Sequence, residues 1–395
     1  MLDPHDHRAI GARLDLFHLQ EEAPGSVYWH PRGNALFRVL EDFLRRELQL
    51  HGYDEVRTPQ VVDQSIWEQS GHWQNFRDGM LVLAPEDEHA PCCALKPVNC
   101  PNHIQIFKQH VRSYRALPMR LAEFGVCHRN EPRGALLGLM RLRSFVQDDA
   151  HIFCAREQLE DEVARACALL AKVYAACGLA DFQVKLSTRP ALRAGSDDVW
   201  DQAEAALAQA AAAAGIVFEL NPGEGAFYGP KLEFVLKDAR GRHWQCGTVQ
   251  LDMVLPERFD LAFVNNRGQR ERPLMLHRAI LGSLERFIGI LLEHHGGHLP
   301  MWLAPEQVLV VPVGAQQGAY AREVHQVLLH GGLRACLSDG DAPLGKRVAE
   351  AHARAIPRVV VVGAREEASR NINLRLPDGA QQVLPLMGAV HALAA

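Results

Sequence analysis

The stretch RLAEFGVCHRNEPRGALLGLMRLRSFVQDDAHIF, residues 120–153, decides most about the fold of this chain. Two strand-like arms flank a glycine-containing loop, and both arms set polar or charged side chains at alternate positions, as a hairpin with one polar face would. Arg129 and Glu131 share a face, and on the returning arm Gln147, Asp149 and His151 are each two residues apart. Successive side chains on a strand point to opposite sides, so these three project one way while Asp148 and Ala150 project the other. Polar side chains aligned like this form either a floor for a polar ligand or an ordinary solvated sheet face, and spacing alone leaves both open.

Working outward, residues 34–50 start with Asn34 in a capping position and carry Leu36, Leu40, Phe43, Leu44 and Leu48 at helical spacing. Gly52 stops that pattern and Pro59 interrupts the strand-like stretch beyond it. Strand-like runs near 117–154, 216–254 and 272–277, punctuated by Gly and Pro, predict a large mixed or antiparallel sheet with helices between the runs. The alanine-rich segment Gln202 to Ala214 predicts a solvent-facing helix in which Leu207 marks an apolar side. At HLPMWLAPE, residues 298–306, the sequence changes character. Beyond it the strands VLVVPV and RVVVVG alternate with helices starting near Ala319 and Leu344. The expected division is a larger domain over 1–300 and a small α/β domain over 301–395.

Composition bounds the function. A chain of 395 residues with 48% hydrophobic content is large enough for two cores. A net charge of -5 and a pI near 6.5 exclude an overall basic field, so any nucleic-acid contact must be local. The opening MLDPHDHRAIGARLDLF has no apolar segment, and no run approaches bilayer length, so no membrane partner is expected. Nine cysteines without a CxxC pair read as reduced thiols of a cytoplasmic protein.

Two further stretches bear chemistry-capable residues. In PLMLHRAILGSLERFIGILLE, residues 273–293, a strand delivers His277, and Gly282, Ser283 and Arg286 then open a helix where backbone and guanidinium could approach a polyphosphate. An arginine snorkelling from an amphipathic helix is the plainer alternative. In WQCGTVQLD, residues 244–252, strict alternation would put Cys246, Thr248 and Gln250 on one face, unless Gly247 marks a bulge. Cys246 is read as a packing residue, and HHGGH near His294 as a polar helix end.

The Arg-x-Glu of residues 129–131, followed by a loop and a second arginine group, resembles motif 2 of the class II aminoacyl-tRNA synthetases. The helix and strand ending in TPQV resemble motif 1, and residues 273–293 resemble motif 3. The phrases LDLFHLQEEAPGSVYWHP, SGHWQNF, KPVNCPNH, FGVCHRNEP, QDDAHIF, GEGAFYGPKLEF, WQCGTVQLD and LHRAILGSLERF are similar to threonyl-tRNA synthetases, and the likeness runs from about Asp6 to the C-terminus.

That resemblance implies an α/β chain in two parts: an α+β catalytic domain with the class II antiparallel sheet, then a small α/β anticodon-binding domain. It implies ATP-dependent activation of L-threonine, transfer to tRNA(Thr), a homodimer formed through motif 1, and a zinc ion on Cys100, His151 and His277. Arg129 would grip the ATP α-phosphate, Arg141 and Arg286 the γ-phosphate, and Mg2+ would bridge phosphates. Phe145 would stack on adenine, Glu131 would meet its amino edge, and Gln245, Thr248 and Ser283 would border the nucleotide. Gln147, Asp149, Tyr228 and Gln250 would line the threonine pocket, with Asp149 accepting the hydroxyl. His72, with a near-neutral pKa, would assist proton removal during transfer. Glu366 and Arg375 would read the anticodon.

The chain departs from the family pattern at Val98, Asn102, Arg133, Leu137, Ser144, Asp341 and Ala349. It also starts too late to contain the family's N-terminal editing region, so misactivation of serine is expected. Two alternatives follow from the departures: a paralogue that activates threonine for another acceptor or a resistance role, and a noncatalytic tRNA-binding regulator.

Overall fold

The computed structural model describes residues 2–85, 87, 92–238, 241–338, 342–376 and 379–394. The chain divides into two units, one made of Leu19–Val27 and Glu41–Ile290, the other of Met1–His18, Tyr28–Leu40 and Leu291–Ala395.

The hairpin over 120–153 lies in an eight-stranded sheet of the first unit. In chain order its strands are β1 (Asp54–Glu55), β2 (Met119–His128), β3 (Ser144–Cys154), β4 (Gln183–Ser187), β5 (Glu219–Asn221), β6 (Lys231–Lys237), β7 (His243–Asp252) and β8 (Leu274–Ser283). Their spatial order is β5-β4-β6-β7-β8-β3-β2-β1, antiparallel except for the two edge pairs. The hairpin register sets Glu123 opposite Asp149 and Leu121 opposite His151. Gln147, Asp149 and His151 therefore line one cavity together, while Asp148 and Ala150 are buried on the other face.

Helix α1 (Pro31–Leu50) starts three residues before the expected Asn34. The Asn34 N–H already donates to the His30 carbonyl, and Pro31 can open a helix because its missing N–H would have had no partner there. Helix α2 (Cys100–Lys108) packs its Ile104 and Phe107 into the core, and α3 (Leu159–Ala176) covers the sheet. The alanine-rich helix α4 (Asp197–Ala213) corrects the solvent-facing expectation. One of its faces, with Trp200, Ala203, Leu207, Ala210 and Ala211, is buried, and α4 packs against α3. The small alanine side chain permits the close approach of the two helices.

The second unit holds a five-stranded sheet of β9 (Val308–Pro312), β10 (Ala335–Leu337), β11 (Arg358–Val362), β12 (Asn371–Arg375) and β13 (Gln381–Pro385) in the order β10-β9-β11-β12-β13. The first three are parallel, and the runs VLVV and VVVV are apolar throughout because both faces are covered. Val308, Val310, Val360 and Val362 enter one core; Leu309, Val311, Val359 and Val361 enter the other. Among the described residues no helix is long and apolar enough to cross a membrane, and the nine cysteines are free thiols.

Candidate active site

A cavity of about 490 Å³ opens on the polar face of the first unit's sheet. Its deepest corner brings together Cys100 from the start of α2, His151 from β3 and His277 from β8. One ligand atom from each lies within 4.8 Å of the others, and all three residues are buried. His277 stands directly opposite His151 in the β8–β3 ladder, so the pairing of the strands fixes the encounter. Burial pushes the Cys100 thiol well above its usual range and His151 well below its own, so neither is charged in the ligand-free protein.

The partners of the two rings decide their chemistry. His277 Nε2 lies 2.8 Å from an Asp252 carboxylate oxygen, and Asp252 also accepts the Val254 and Leu255 N–H groups. A carboxylate only accepts, so Nε2 carries the proton and Nδ1 presents a lone pair. That Nδ1 is 3.1 Å from His151 Nε2. On the far side of the His151 ring, Nδ1 lies 2.8 Å from His103 Nδ1. Asp149 stands beside this corner, held by a 3.0 Å hydrogen bond from Asn99 Nδ2, and burial raises its carboxyl. Gln147 Oε1 is buried without a partner. Tyr228 packs its ring 5.1 Å from that of His277, and Gln250, opposite His277 on β7, donates to the Gly229 carbonyl.

The outer part of the cavity is cationic. Arg129 donates to the Pro97 carbonyl and lies over the Phe145 ring at 5.1 Å. Arg141 is paired with Glu131 at 2.9 Å. Arg286 donates to the Met140 and Gln245 carbonyls, both at 2.9 Å. Burial lowers the Arg286 guanidinium, and the neighbouring Arg129 and Arg141 charges lower it further, which marks a place prepared for an anion.

Two irregularities in neighbouring strands shape this region. In β7, Phe234 pairs with Gly247 and Val235 with Gln245, leaving Cys246 as an extra residue. The bulge foreseen at Gly247 exists: it puts Gln245 within 2.8 Å of Thr248 Oγ1 and leaves Cys246 buried. A Cβ on Gly247 would stand 2.3 Å from the Leu170 side chain, so a larger residue there requires that buried side chain to move. In β8 the ladder breaks between Ala279 and Ser283, where the N–H groups of Ile280, Leu281 and Gly282 all donate to the Asp148 carboxylate. Ser283 then accepts the Arg286 N–H and opens helix α5 (Leu284–His294).

Three candidates sit elsewhere. His72 does not line the cavity. It is buried among Trp67, Phe227 and Tyr228, its Nδ1 on Ser70 Oγ at 2.8 Å and its Nε2 without a partner. Burial lowers its pKa to about 3, which corrects the near-neutral expectation. In the second unit Glu366 accepts the Gly363 N–H at 2.9 Å and so caps a short helix, while Arg375 on β12 is half-buried with Nε unpartnered. Asp341 lies outside the described residues.

Sequence reading overlooked His103, Asp252 and Asn99. Asp252 closes the phrase WQCGTVQLD and Asn99 precedes Cys100, but nothing local marks either as a partner of the cluster. His103 did carry a signal, its C-x-x-H spacing from Cys100, and that spacing would have misplaced it as a ligand. The α2 turn presents it instead to the outer side of the His151 ring.

Comparison with known proteins agrees with this geometry. Residues 84–295 match the tRNA synthetase class II core domain (G, H, P, S and T), and residues 307–394 match an anticodon binding domain. The chain is 53% identical over 391 residues to a threonine–tRNA ligase of Gluconacetobacter diazotrophicus, covering 99% of this chain and 61% of the relative. It is 52% identical to one of Rickettsia rickettsii, covering 94% and 58% respectively. The chain thus spans about three-fifths of the length of these relatives. A crystal structure described as the RNA binding domain of threonyl-tRNA synthetase from Cryptosporidium parvum Iowa II superposes with a TM-score of 0.94 at 40% identity, covering 98% of both chains.

Proposed function

Since the chain belongs to the threonyl-tRNA synthetase family of the class II tRNA synthetases, we propose that it activates L-threonine with ATP and transfers the threonyl group to the 3′ end of tRNA(Thr). The observation that carries this reading is the meeting of Cys100, His151 and His277 beside Asp149, in the same cavity as Arg129, Arg141 and Arg286. Residues 1–300 would form the catalytic part and 301–395 the anticodon-binding part, in a cytoplasmic homodimer joined through the motif 1 helix and strand.

The buried trio suits zinc. One thiol and two imidazoles form a zinc donor set, and the 3.1 Å between the facing ring nitrogens is near the ~3.3 Å edge of a tetrahedral zinc site. Cys100, His151 and His277 would hold the ion. Bound there, zinc supplies open coordination positions suited to an amine and a β-hydroxyl, which valine cannot match.

The chain's own groups do the rest. Asp149, steadied by Asn99, accepts the threonine hydroxyl, and the unpartnered Gln147 Oε1 accepts an amine N–H. Tyr228 and Gln250 close the pocket wall. As the carboxylate attacks in line, Arg129 neutralises charge on the α-phosphate, and Arg286 and Arg141 hold the γ-phosphate of Mg2+-bound ATP. Drawing Arg141 to phosphate frees Glu131 for the adenine amino edge, with Phe145 beneath the base and Gln245, Thr248 and Ser283 around the nucleotide. His72, a weak base by its lowered pKa, lies outside this cavity and is assigned no contact with the reacting groups. Glu366 and Arg375 would contribute to anticodon reading.

Pyrophosphate exchange with threonine, serine and valine tests the reading. Threonine should lead serine by about 10- to 200-fold, because only one methyl separates them, and valine should be nearly inert. No exchange with threonine in zinc-replete protein would sink the proposal. Exchange without charging of tRNA(Thr) would favour the paralogue, which Arg133, Leu137 and Ser144 in the motif 2 loop and Ala349 motivate.

A further inference from the structure

We propose that His103 is a positioning residue for the metal site: seated between Glu123 and His151, it sets the tautomer of His151 and holds the Nε2 lone pair of that ring toward Cys100 and His277. The inference rests on the zinc reading above and names a group outside the ligand trio.

Protons can be placed one by one along a buried chain of side chains behind His151. Glu123 Oε1 accepts the Thr58 N–H and Lys96 Nζ, each at 2.9 Å; its Oε2 accepts Thr58 Oγ1 at 2.8 Å and faces His103 Nε2 at 3.1 Å. Lys96, itself buried, balances the carboxylate charge and also donates to Thr58 Oγ1 at 2.9 Å. The carboxylate charge is met by Lys96, and His103 faces the carboxylate as a hydrogen-bond partner. Its Nε2 must donate to the carboxylate, which leaves Nδ1 an acceptor.

His103 Nδ1 can then pair with His151 Nδ1, 2.8 Å away, only if the His151 nitrogen carries the proton. His151 Nε2 is thereby a lone pair, and it faces the lone pair that Asp252 imposes on His277 Nδ1. Two acceptors 3.1 Å apart repel unless a cation lies between them. The far ends of both relays are anchored in backbone, at Thr58 N–H on one side and at Val254 and Leu255 N–H on the other. Each ligand ring is thus oriented from behind by a carboxylate, directly for His277 and through one intervening imidazole for His151.

The test compares the full chain with H103L and H103Q. The readouts are zinc stoichiometry, competition against a chelator, and the visible absorption of the Co(II)-substituted protein, which a merely structural change would not shift. H103L removes both hydrogen bonds and should weaken metal binding about 10- to 100-fold and alter the cobalt bands. In H103Q the amide oxygen can accept from His151 while the amide nitrogen donates to Glu123, so binding and spectrum should stay near wild type. Should H103L not fold, H103N, polar but too short to span both partners, carries the expectation of H103L. Wild-type affinity and spectrum in the leucine or asparagine variant would overturn the role of His103 and leave the zinc reading intact. A wild-type chain that binds no stoichiometric metal would overturn the zinc reading itself.

Discussion

Two buried clusters of metal-capable side chains occur among the described residues: Cys100, His151 and His277 in one unit, and Asp6, His7 and Glu293 in the other. By residue type the second has the better claim on a hard cation, yet its hydrogen bonds assign it another role. Asp6 takes both the Nε and Nη2 of Arg8 and the Arg8 N–H, capping the helix His7–Arg13. Glu293 takes the backbone N–H and ring Nδ1 of His7, the latter at 2.7 Å. Every carboxylate there is answered by a donor of the protein. In the first cluster the ring donors are spent on the outer sides, and the inner sides hold lone pairs and one weakly donating thiol. Lining up candidate ligands is common in proteins; leaving them unanswered toward one another is what separates a binding site from a structural tie.

The sharpest way to break this contrast is to remove one member of each cluster. C100A should lose stoichiometric zinc and, with it, threonine-dependent pyrophosphate exchange, read by metal analysis and by radiolabel exchange. Next in size is D149A, which leaves the trio whole but deletes the proposed hydroxyl acceptor. Losing a hydrogen bond to a charged group costs about 1.5–3 kcal/mol, so kcat/KM for threonine should fall about 10- to 150-fold with zinc content unchanged. E293A should do the reverse, leaving metal content intact while stranding the His7 donors and lowering urea stability by about 1–3 kcal/mol. An E293A protein that lost zinc would erase the distinction.

The smallest effect is a titration. Burial would raise the Glu123 carboxyl, but the bonds from His103, Thr58 N–H and Lys96 outweigh it and hold the group at about 2, below its ordinary 4.5. A carboxyl depressed by folding contributes stability that is complete above the ordinary value and fades as pH falls toward the folded one. Thermal stability of the metal-free chain should therefore begin to drop below pH 4.5 and continue to about 2, and T58V, which keeps the backbone N–H bond but removes the hydroxyl's 2.8 Å bond to Glu123 Oε2, should narrow the window from its acid end. An unchanged acid profile in T58V would show that this carboxylate is not held as described.

Much of the first unit was legible because strand parity is a rigid rule. Gln147, Asp149 and His151 face one cavity for the reason their spacing suggested, and in the second unit helix α6 (Leu344–Ala353) begins where the sequence placed it. Parity failed where the backbone broke it. The extra residue at Cys246 could be suspected from Gly247 alone, but its effect on Gln245 could not, because a bulge changes which face every upstream residue takes. The trio itself was out of reach of spacing, since Cys100, His151 and His277 meet only through sheet pairing, and resemblance supplied it. Burial was the hardest quantity to foresee. His72 has an ordinary sequence setting, and only the aromatic wall of Trp67, Phe227 and Tyr228 around it explains its lost basicity.

The break in β8 has a dynamic corollary. At Ile280, Leu281 and Gly282 three consecutive amides answer to one carboxylate instead of to a neighbouring strand, and the next residues carry Ser283 and Arg286. Solvent exchange at those amides would then report the seating of a single side chain. In D148A they should trade hydrogen for deuterium quickly while Thr248–Asp252, laddered to β8 farther down, stay slow. The Ser283 end of the strand would come loose by itself, a hem unpicked from a cloth that otherwise holds.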